Sequence, residues 1–361
     1  MKMKKIISVM ICFLIFLFMV KLDINAEEEI SIMLGDKDVL SGSVEGIKYE
    51  NGKLYLDDFT ASERLVIKGT DRIEIVVTGE NRIESENRVP FSAINTYVTF
   101  SGGGKLAIVN KTQNGIPALY YGNESGCALC AIGMTVTDKT EVFVETNVKD
   151  GTAVLIGFNS DASKKERGFL VKDGGRLIAR AKEGVAIDAD DVVIDNGYVY
   201  AKADKIGLYG GKITVENGGT VEAVACDYAI YSGKLNILSG AEVTAKADFY
   251  GTYIHNGDII VSGGKLTGIL TGKYEHANSG NYTLAVCCFN DIDVNNGGTI
   301  IGKSEKKYAD CGVYAGRYIK QSSSSTIKAG ENCRTSTAPS EINFYEDLPS
   351  GESITVTEIL I

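Results

Sequence analysis

The sequence predicts an all-β protein that folds as a single-stranded parallel β-helix, a solenoid with rungs of about 22 residues. Two-residue turns that end in glycine recur along the second half of the chain. These glycines lie 22, 22, 21, 24 and 34 positions apart, at Gly175, Gly197, Gly219, Gly240, Gly264 and Gly298. Short strands of alternating apolar residues flank these turns. One rung is too small to exclude water from its apolar side chains, so stacked rungs must bury them together.

Each predicted rung contains three short strands. The strand before a turn alternates as in residues 192–194 (VVI), and the period of two places its outer members inside the coil. The strand after the turn carries a large aliphatic residue and then a small one at its inward positions, and the small ones are Ala179, Ala201, Ala223, Ala245, Gly268 and Gly302. A third strand, such as residues 229–231 (AIY), completes the rung. We expect larger side chains at the small positions to clash where the coil bends or meets its opposite wall.

The repeat also indicates how the chain is divided. The coil is predicted over residues 61–330, with an N-terminal cap at 27–60 and a C-terminal cap at 331–361. Caps are needed because an uncovered terminal rung would expose unpaired backbone groups. A β-sandwich or a propeller is the rival architecture, but propeller blades repeat over ~40 residues.

The first 26 residues have the composition of a secretory signal peptide. Lysines precede an uncharged apolar run from Ile6 to Val20, and Ala26 supplies a small residue at the cleavage site. The run is shorter than the ~20 residues of a membrane-spanning helix, and no later apolar run is long enough. The sequence therefore predicts a secreted, extracellular or cell-surface protein with no membrane span after cleavage.

The net charge restricts the partners. Cleavage would remove four lysines and one aspartate, which changes the formal net charge from −10 to −13. An acidic chain repels nucleic acids and anionic lipid surfaces within a Debye length. We therefore expect neither as a partner. The sequence does not predict an oligomeric state.

Aligning the rungs predicts one outward column that is mostly basic. Its members are Arg180, Lys202, Val224, Lys246, Ile269 and Lys303. A row of cations on a strand face discourages edge-to-edge aggregation, and it would also suit an acidic glycan. Both interpretations stay open at this point.

A second outward column follows the third strand and is rich in tyrosine. It is predicted to contain Asp188, Tyr209, Tyr231, His255, Cys288 and Tyr314. Tyr209 and Tyr231 should be immediate neighbours. Their rings and hydroxyls could bind sugar rings, which makes Tyr209, Tyr231, His255, Tyr314 and Asp188 the candidate ligand-binding residues. Alternatively, the tyrosines stack on one another and only stabilise adjacent rungs.

Catalytic signals are sparse. The densest carboxylate cluster contains Asp188, Asp190, Asp191 and Asp195, and a hydrolase would need two such groups placed on either side of the scissile bond. The chain contains only two histidines, His255 and His276. Aspartates also favour exposed corners for conformational reasons. An active site is thus the less favoured interpretation.

No cofactor is predicted, although calcium bound by corner carboxylates stays open as an alternative. Seven cysteines remain after cleavage, and an odd number cannot pair completely within one chain. Cys127 and Cys130 have the spacing of half a zinc site, but no second pair has matching spacing.

The repeat itself resembles a known family. Residues 218–223 (GGTVEA) and 228–237 (YAIYSGKLNI) look like the repeat of secreted bacterial right-handed β-helix proteins of the pectate-lyase-like superfamily. This superfamily includes carbohydrate-binding domain proteins that attach to plant polysaccharide without degrading it. The resemblance covers about residues 60–320, and its motif describes a rung rather than a site.

The resemblance and the tyrosine column together predict a non-catalytic protein that binds extracellular polysaccharide or a cell-surface glycan. A polysaccharide lyase or glycoside hydrolase acting on pectin-like substrates is the second interpretation. A purely structural or adhesive surface protein is the third.

Overall fold

The computed structural model describes residues 29–42, 44–112, 126–157, 168–272, 283–305, 311–331, 343–346 and 353–355. The predicted signal peptide, His276 and Cys333 lie outside these residues. Within them the chain contains many β-strands and no α-helix. No helix in this part of the chain is both long and apolar enough to cross a membrane.

The strands, in chain order, are β1 (Ser31–Leu34), β2 (Lys37–Asp38), β3 (Ile47–Glu50), β4 (Lys53–Asp57), β5 (Thr60–Ala61), β6 (Leu65–Lys68), β7 (Arg72–Thr78), β8 (Glu80–Ser85), β9 (Phe91–Ser101), β10 (Lys105–Asn110), β11 (Cys127–Val136), β12 (Glu141–Thr146), β13 (Gly151–Ile156), β14 (Gly168–Lys172), β15 (Arg176–Ala181), β16 (Gly184–Asp195), β17 (Tyr198–Lys202), β18 (Ile206–Glu216), β19 (Thr220–Val224), β20 (Tyr228–Leu238), β21 (Glu242–Ala247), β22 (Tyr250–Ile254), β23 (Ile259–Ser262), β24 (Lys265–Leu270), β25 (Leu284–Cys288), β26 (Ile292–Asn295), β27 (Thr299–Ser304), β28 (Cys311–Ala315), β29 (Tyr318–Gln321), β30 (Thr326–Glu331), β31 (Asn343–Glu346) and β32 (Ser353–Thr355).

These strands form two long sheets. Sheet B contains β5, β8, β10, β12, β15, β17, β19, β21, β24, β27 and β30, and sheet A contains the remaining strands. Within sheet B every neighbouring pair is parallel, and the chain returns to sheet A between successive strands. Long strands of sheet A, such as β16 and β18, run through a corner of the coil. The chain therefore folds as a parallel β-helix, as its sequence predicts.

The two ends differ from the coil. At the start, β1 pairs with β2 and β3 with β4 in antiparallel hairpins, and β4 then begins the parallel stacking by pairing with β7. At the other end, β31 pairs with β29 in parallel and with β32 in antiparallel orientation. These hairpins lie within the segments predicted as caps, but β1 also pairs in antiparallel orientation with β6, which lies beyond residue 60. The cap boundaries remain predictions.

The core lies inside the coil and is continuous from β1 to β29. Its largest fully buried side chains, Phe59, Phe91, Phe100 and Phe169, all belong to the first half of the chain. In the second half, strand pairing places the small residues from Ala179 to Gly302 directly beside one another in sheet B. The predicted column of small inward residues is thus confirmed.

The glycine turns serve two purposes. In the turn after β18, Asn217 and Gly218 have φ of 52° and 78°, a left-handed conformation that asparagine and glycine tolerate best. Gly219 has no positive φ, but a Cβ there would collide with the carbonyl of Ile194 in the preceding rung. The second glycine is therefore required by close packing between rungs rather than by backbone conformation.

Candidate functional site

The register of sheet A fixes the outward tyrosine column. Asp188 pairs with Tyr209, Tyr209 with Tyr231, and Tyr231 with Tyr253, on β16, β18, β20 and β22. The column continues through Cys287 to Tyr314. Tyr209 and Tyr231 are immediate neighbours, which confirms the prediction for this pair.

Two predicted members of this column are wrong. Tyr253 takes the place predicted for His255, and Cys287 takes the place predicted for Cys288. The rung after β20 is two residues longer than the one before it. Tyr231 pairs with Tyr253, 22 positions on, whereas Leu235 pairs with Ile259, 24 positions on. The two extra residues therefore follow β22. Counting from turn to turn therefore displaced the predicted column.

The displaced residues occupy different environments. Cys288 is fully buried inside the coil, where its single S–H can donate a hydrogen bond to the carbonyl of Gly257 or of Asp291. Burial raises the pKa of the Cys288 thiol to about 11, so it stays protonated. His255 lies past the end of β22, yet its ring remains next to the column, with its centroid 4.9 Å from that of Tyr231. His255 thus belongs to the same surface although it lies outside the column.

A second aromatic column, missed from the sequence, runs beside the first. Ile206 pairs with Tyr228 and Tyr228 with Tyr250, three positions before the first column on the same strands. The signal was present in the sequence, because these residues lie 22 positions apart, as Tyr209 and Tyr231 do. The corner of the coil turns both Ala229 and Ile230 inward, which a strict period of two does not predict.

The rings of both columns contact one another closely. Tyr231 stacks between Tyr209 and Tyr253, with centroid distances of 5.5 and 5.3 Å and interplanar angles of 18° and 17°. Tyr228 stacks on Tyr250 at 5.0 Å and meets Tyr231 and Tyr253 edge-on, at 5.2 Å in each case. Such pairs add roughly 0.5–1.5 kcal/mol beyond the burial of their area.

We call this surface the aromatic face. It contains Tyr209, Tyr228, Tyr231, Tyr250, Tyr253, His255, Phe289 and Tyr314. Phe289 is 44% exposed, which is unusual for so large an apolar side chain, whereas the tyrosines are half-buried. Because Tyr231 is stacked on both sides, it presents its ring edge and hydroxyl outward rather than its ring face.

Three hydroxyls of the aromatic face are available to a ligand. Within the described residues, the phenol oxygens of Tyr228, Tyr231 and Tyr253 are neither buried nor hydrogen-bonded to the protein. Burial of the rings raises the pKa of Tyr228 and Tyr253 above the usual value. These phenols therefore stay protonated at neutral pH and can both donate and accept hydrogen bonds.

Asp188 lies at one end of the first column, between Leu155 and Tyr209 on the neighbouring strands. Burial, and to a lesser extent the charge of Asp190, raise the pKa of its carboxyl from 3.8 to about 6. Asp190 itself is exposed. Asp188 can therefore exchange a proton near neutral pH, which is the property that a general acid needs.

The basic column on sheet B is confirmed by its register. Arg180, Lys202, Val224, Lys246, Ile269 and Lys303 pair in that order. Lys246 forms an ion pair with Glu305 at 2.6 Å. This column lies on a different sheet from the aromatic face, so the two predicted surfaces are separate.

The structure gives no support to a metal centre in the described residues. No group of three or more histidine, cysteine, aspartate or glutamate side chains in this part of the chain could hold a metal ion. Cys127 and Cys130, which have the spacing of half a zinc site, are fully buried and pack against Val89.

Comparison with known proteins adds no further constraint. No family model, curated protein or solved structure matches the chain.

Proposed function

We propose that this is a secreted, non-catalytic protein that binds extracellular polysaccharide along the aromatic face. The observation that supports this proposal is a cluster of eight aromatic side chains on one outer surface, including the 44% exposed ring of Phe289. Exposed apolar clusters of this kind commonly mark binding surfaces. The predicted signal peptide would take the protein to the glycans outside the cell.

The chemistry of the face suits a sugar chain. Tyrosine supplies a large, rigid contact area with little loss of conformational entropy, together with a polar group. Hydroxyls on neighbouring strands are spaced by the strand separation of ~4.8 Å, so an extended polymer could accept and donate hydrogen bonds along several rungs. The ring of Phe289 offers an apolar contact beside these hydroxyls.

The first experiment is a pull-down of the protein with insoluble cellulose, xylan, pectin and peptidoglycan. We expect retention on at least one polymer, and we expect the Tyr209→Ala, Tyr231→Ala variant to bind it at least tenfold more weakly, because the contact area of two rings and the outward hydroxyl of Tyr231 are lost. The matched control is the Tyr55→Ala, Tyr198→Ala variant, which removes two half-buried strand tyrosines outside the aromatic face. Equal weakening in both variants would contradict the proposal.

A second pair of substitutions separates binding from structural stacking. Tyr231→Phe with Tyr253→Phe keeps both rings and their stacking but removes two outward hydroxyls. We expect this variant to unfold at the wild-type temperature and to bind the glycan several-fold more weakly. Unchanged retention would mean that the hydroxyls take no part, and that the column serves only to join the rungs.

A polysaccharide lyase or hydrolase acting on pectin-like substrates is the second candidate function, and one observation favours it. The pKa of Asp188, raised to about 6, suits proton transfer, and Asp190 lies two residues away. Release of unsaturated or reducing sugars into the pull-down supernatant, abolished by Asp188→Asn, would replace the binding proposal with this one. If the pull-down shows neither retention of the protein nor release of sugars, a structural or adhesive role remains.

A further inference from the structure

A cleft of about 420 Å³ opens on sheet B, away from the aromatic face. It is formed by β12, β15 and β17 together with the residues that follow them. The side chains that matter for its chemistry are Glu145, Arg180, Lys182, Tyr200, Lys202 and Asp204. We call it the sheet B cleft.

Two cations lie directly opposite each other in this cleft. Arg180 on β15 pairs with Lys202 on β17, so like charges face each other on neighbouring strands, an arrangement that by itself destabilises a sheet. The guanidinium of Arg180 lies over two rings, 5.5 Å from the centroid of Phe143 and 5.8 Å from that of Tyr200. These cation–π contacts orient the planar group in the cleft.

The cations of the cleft lack the compensation found elsewhere on the sheet. Lys105 pairs with Glu80 at 3.3 Å, and Arg176 pairs with Glu141 at 3.1 Å. In contrast, no carboxylate among the described residues lies within 4.0 Å of the charged groups of Arg180, Lys182 or Lys202.

The absence of ion pairs to these three cations is not caused by a lack of carboxylates nearby. Glu145 is the register partner of Arg180 on β12, and Asp204 lies at the rim, yet neither forms an ion pair with the three cations. The lining of the cleft carries three cations and two carboxylates, a slight excess of positive charge, whereas the net charge of the chain is −10. The sheet B cleft thus combines a concave shape, an oriented guanidinium and two flanking ammonium groups, as expected of an anion-binding site.

We propose that the sheet B cleft binds an anionic sugar chain, one that carries carboxylate or sulfate groups. The guanidinium fork of Arg180 can bind such a group with two parallel hydrogen bonds, and Lys182 and Lys202 add point charges beside it. The half-buried ring of Tyr200 provides a flat contact for the sugar, and Glu145 and Asp204 can accept hydrogen bonds from its hydroxyls. The cleft and the aromatic face lie on separate sheets, so this inference does not depend on the function proposed for the face.

The test measures the affinity of the full protein for three soluble polymers: alginate, which carries carboxylates, dextran sulfate, and neutral dextran. We expect the protein to bind at least one of the two polyanions and to bind neutral dextran at least tenfold more weakly. The Arg180→Gln, Lys202→Gln variant should bind the polyanion at least tenfold more weakly. The comparison between alginate and dextran sulfate identifies which anionic group is recognised.

The matched control is the Lys265→Gln, Lys303→Gln variant, which removes the same charge from outward positions of sheet B beyond the cleft. We expect it to change the affinity by less than twofold. Equal weakening by the two variants would show that only the diffuse field of the sheet attracts polyanions, and absence of polyanion binding would also overturn the proposal. The Tyr231→Phe, Tyr253→Phe variant should keep full polyanion affinity, which separates this result from the test of the aromatic face.

Discussion

Replacing Gly268 by valine is expected to lower the free energy of unfolding by about 3 kcal/mol or more, at the upper end of the cost of overpacking a core. A Cβ at this position would lie 2.6 Å from the carbonyl carbon of Ala285 and 2.8 Å from Cγ2 of Val286. The obstacle is largely backbone, so no change of side-chain rotamer relieves it.

Neither strand can easily move away. Gly268 on β24 is held between Ala245 on β21 and Gly302 on β27, and Ala285 is fully buried on β25 of sheet A. The two sheets approach each other here across the interior of the coil. Any displacement of β24 or β25 would disrupt hydrogen bonds to the strands on both sides. It would also weaken the stacking contacts with the neighbouring rungs.

Chemical denaturation monitored by circular dichroism measures this effect. The control is Thr267→Val, one residue earlier on the same strand, where the side chain points outward and is half-buried. We expect the control to change stability by no more than about 0.5 kcal/mol. If Gly268→Val changed the free energy of unfolding as little as the control, the column of small inward residues would not mark a tight approach of the two sheets.

The sequence predicts the parts of this fold that depend on regular repetition. The small column and the basic column follow from a period of two within strands and about 22 between rungs, and both are confirmed residue by residue. The small residues lie only four or five positions after the second residue of each glycine turn, so their place changes little when rung lengths differ.

Predictions failed where the extra residues of a rung had to be placed. His255 and Cys288 were assigned to the tyrosine column because the sequence does not reveal whether an insertion precedes or follows a strand. Tyr250 was missed as a partner of Tyr228 because two successive inward residues at the corner interrupt the alternation. The exposure of Phe289 is equally invisible in the sequence, since phenylalanine usually belongs to the core.

Asn substituted for Asp188 is expected to stabilise the protein at neutral pH but not in acid. The carboxyl has a pKa of about 6 in the folded chain, compared with an ordinary value of 3.8, because burial disfavours its charged form and Asp190 repels it. Between these two values the folded state binds more protons than the unfolded state, so the contribution of Asp188 to stability falls as pH rises from 3.8 to 6 and then stays constant.

The full difference in pKa corresponds to about 3 kcal/mol, and partial exposure of the carboxyl to solvent reduces it, so we expect a gain of about 1–3 kcal/mol for Asp188→Asn at pH 7.5. At pH 4 the gain should nearly vanish, because the wild-type carboxyl is then largely neutral in the folded chain. Denaturant titrations at the two pH values measure the difference, with Asp191→Asn as an exposed control that should show no such gain. A pH-independent effect would show that Asp188 is not held in a desolvated position. A pH-dependent gain would mean that the charged carboxylate of Asp188 lowers the stability of the folded chain. A role in proton transfer or in binding a sugar hydroxyl would then account for its presence beside Tyr209.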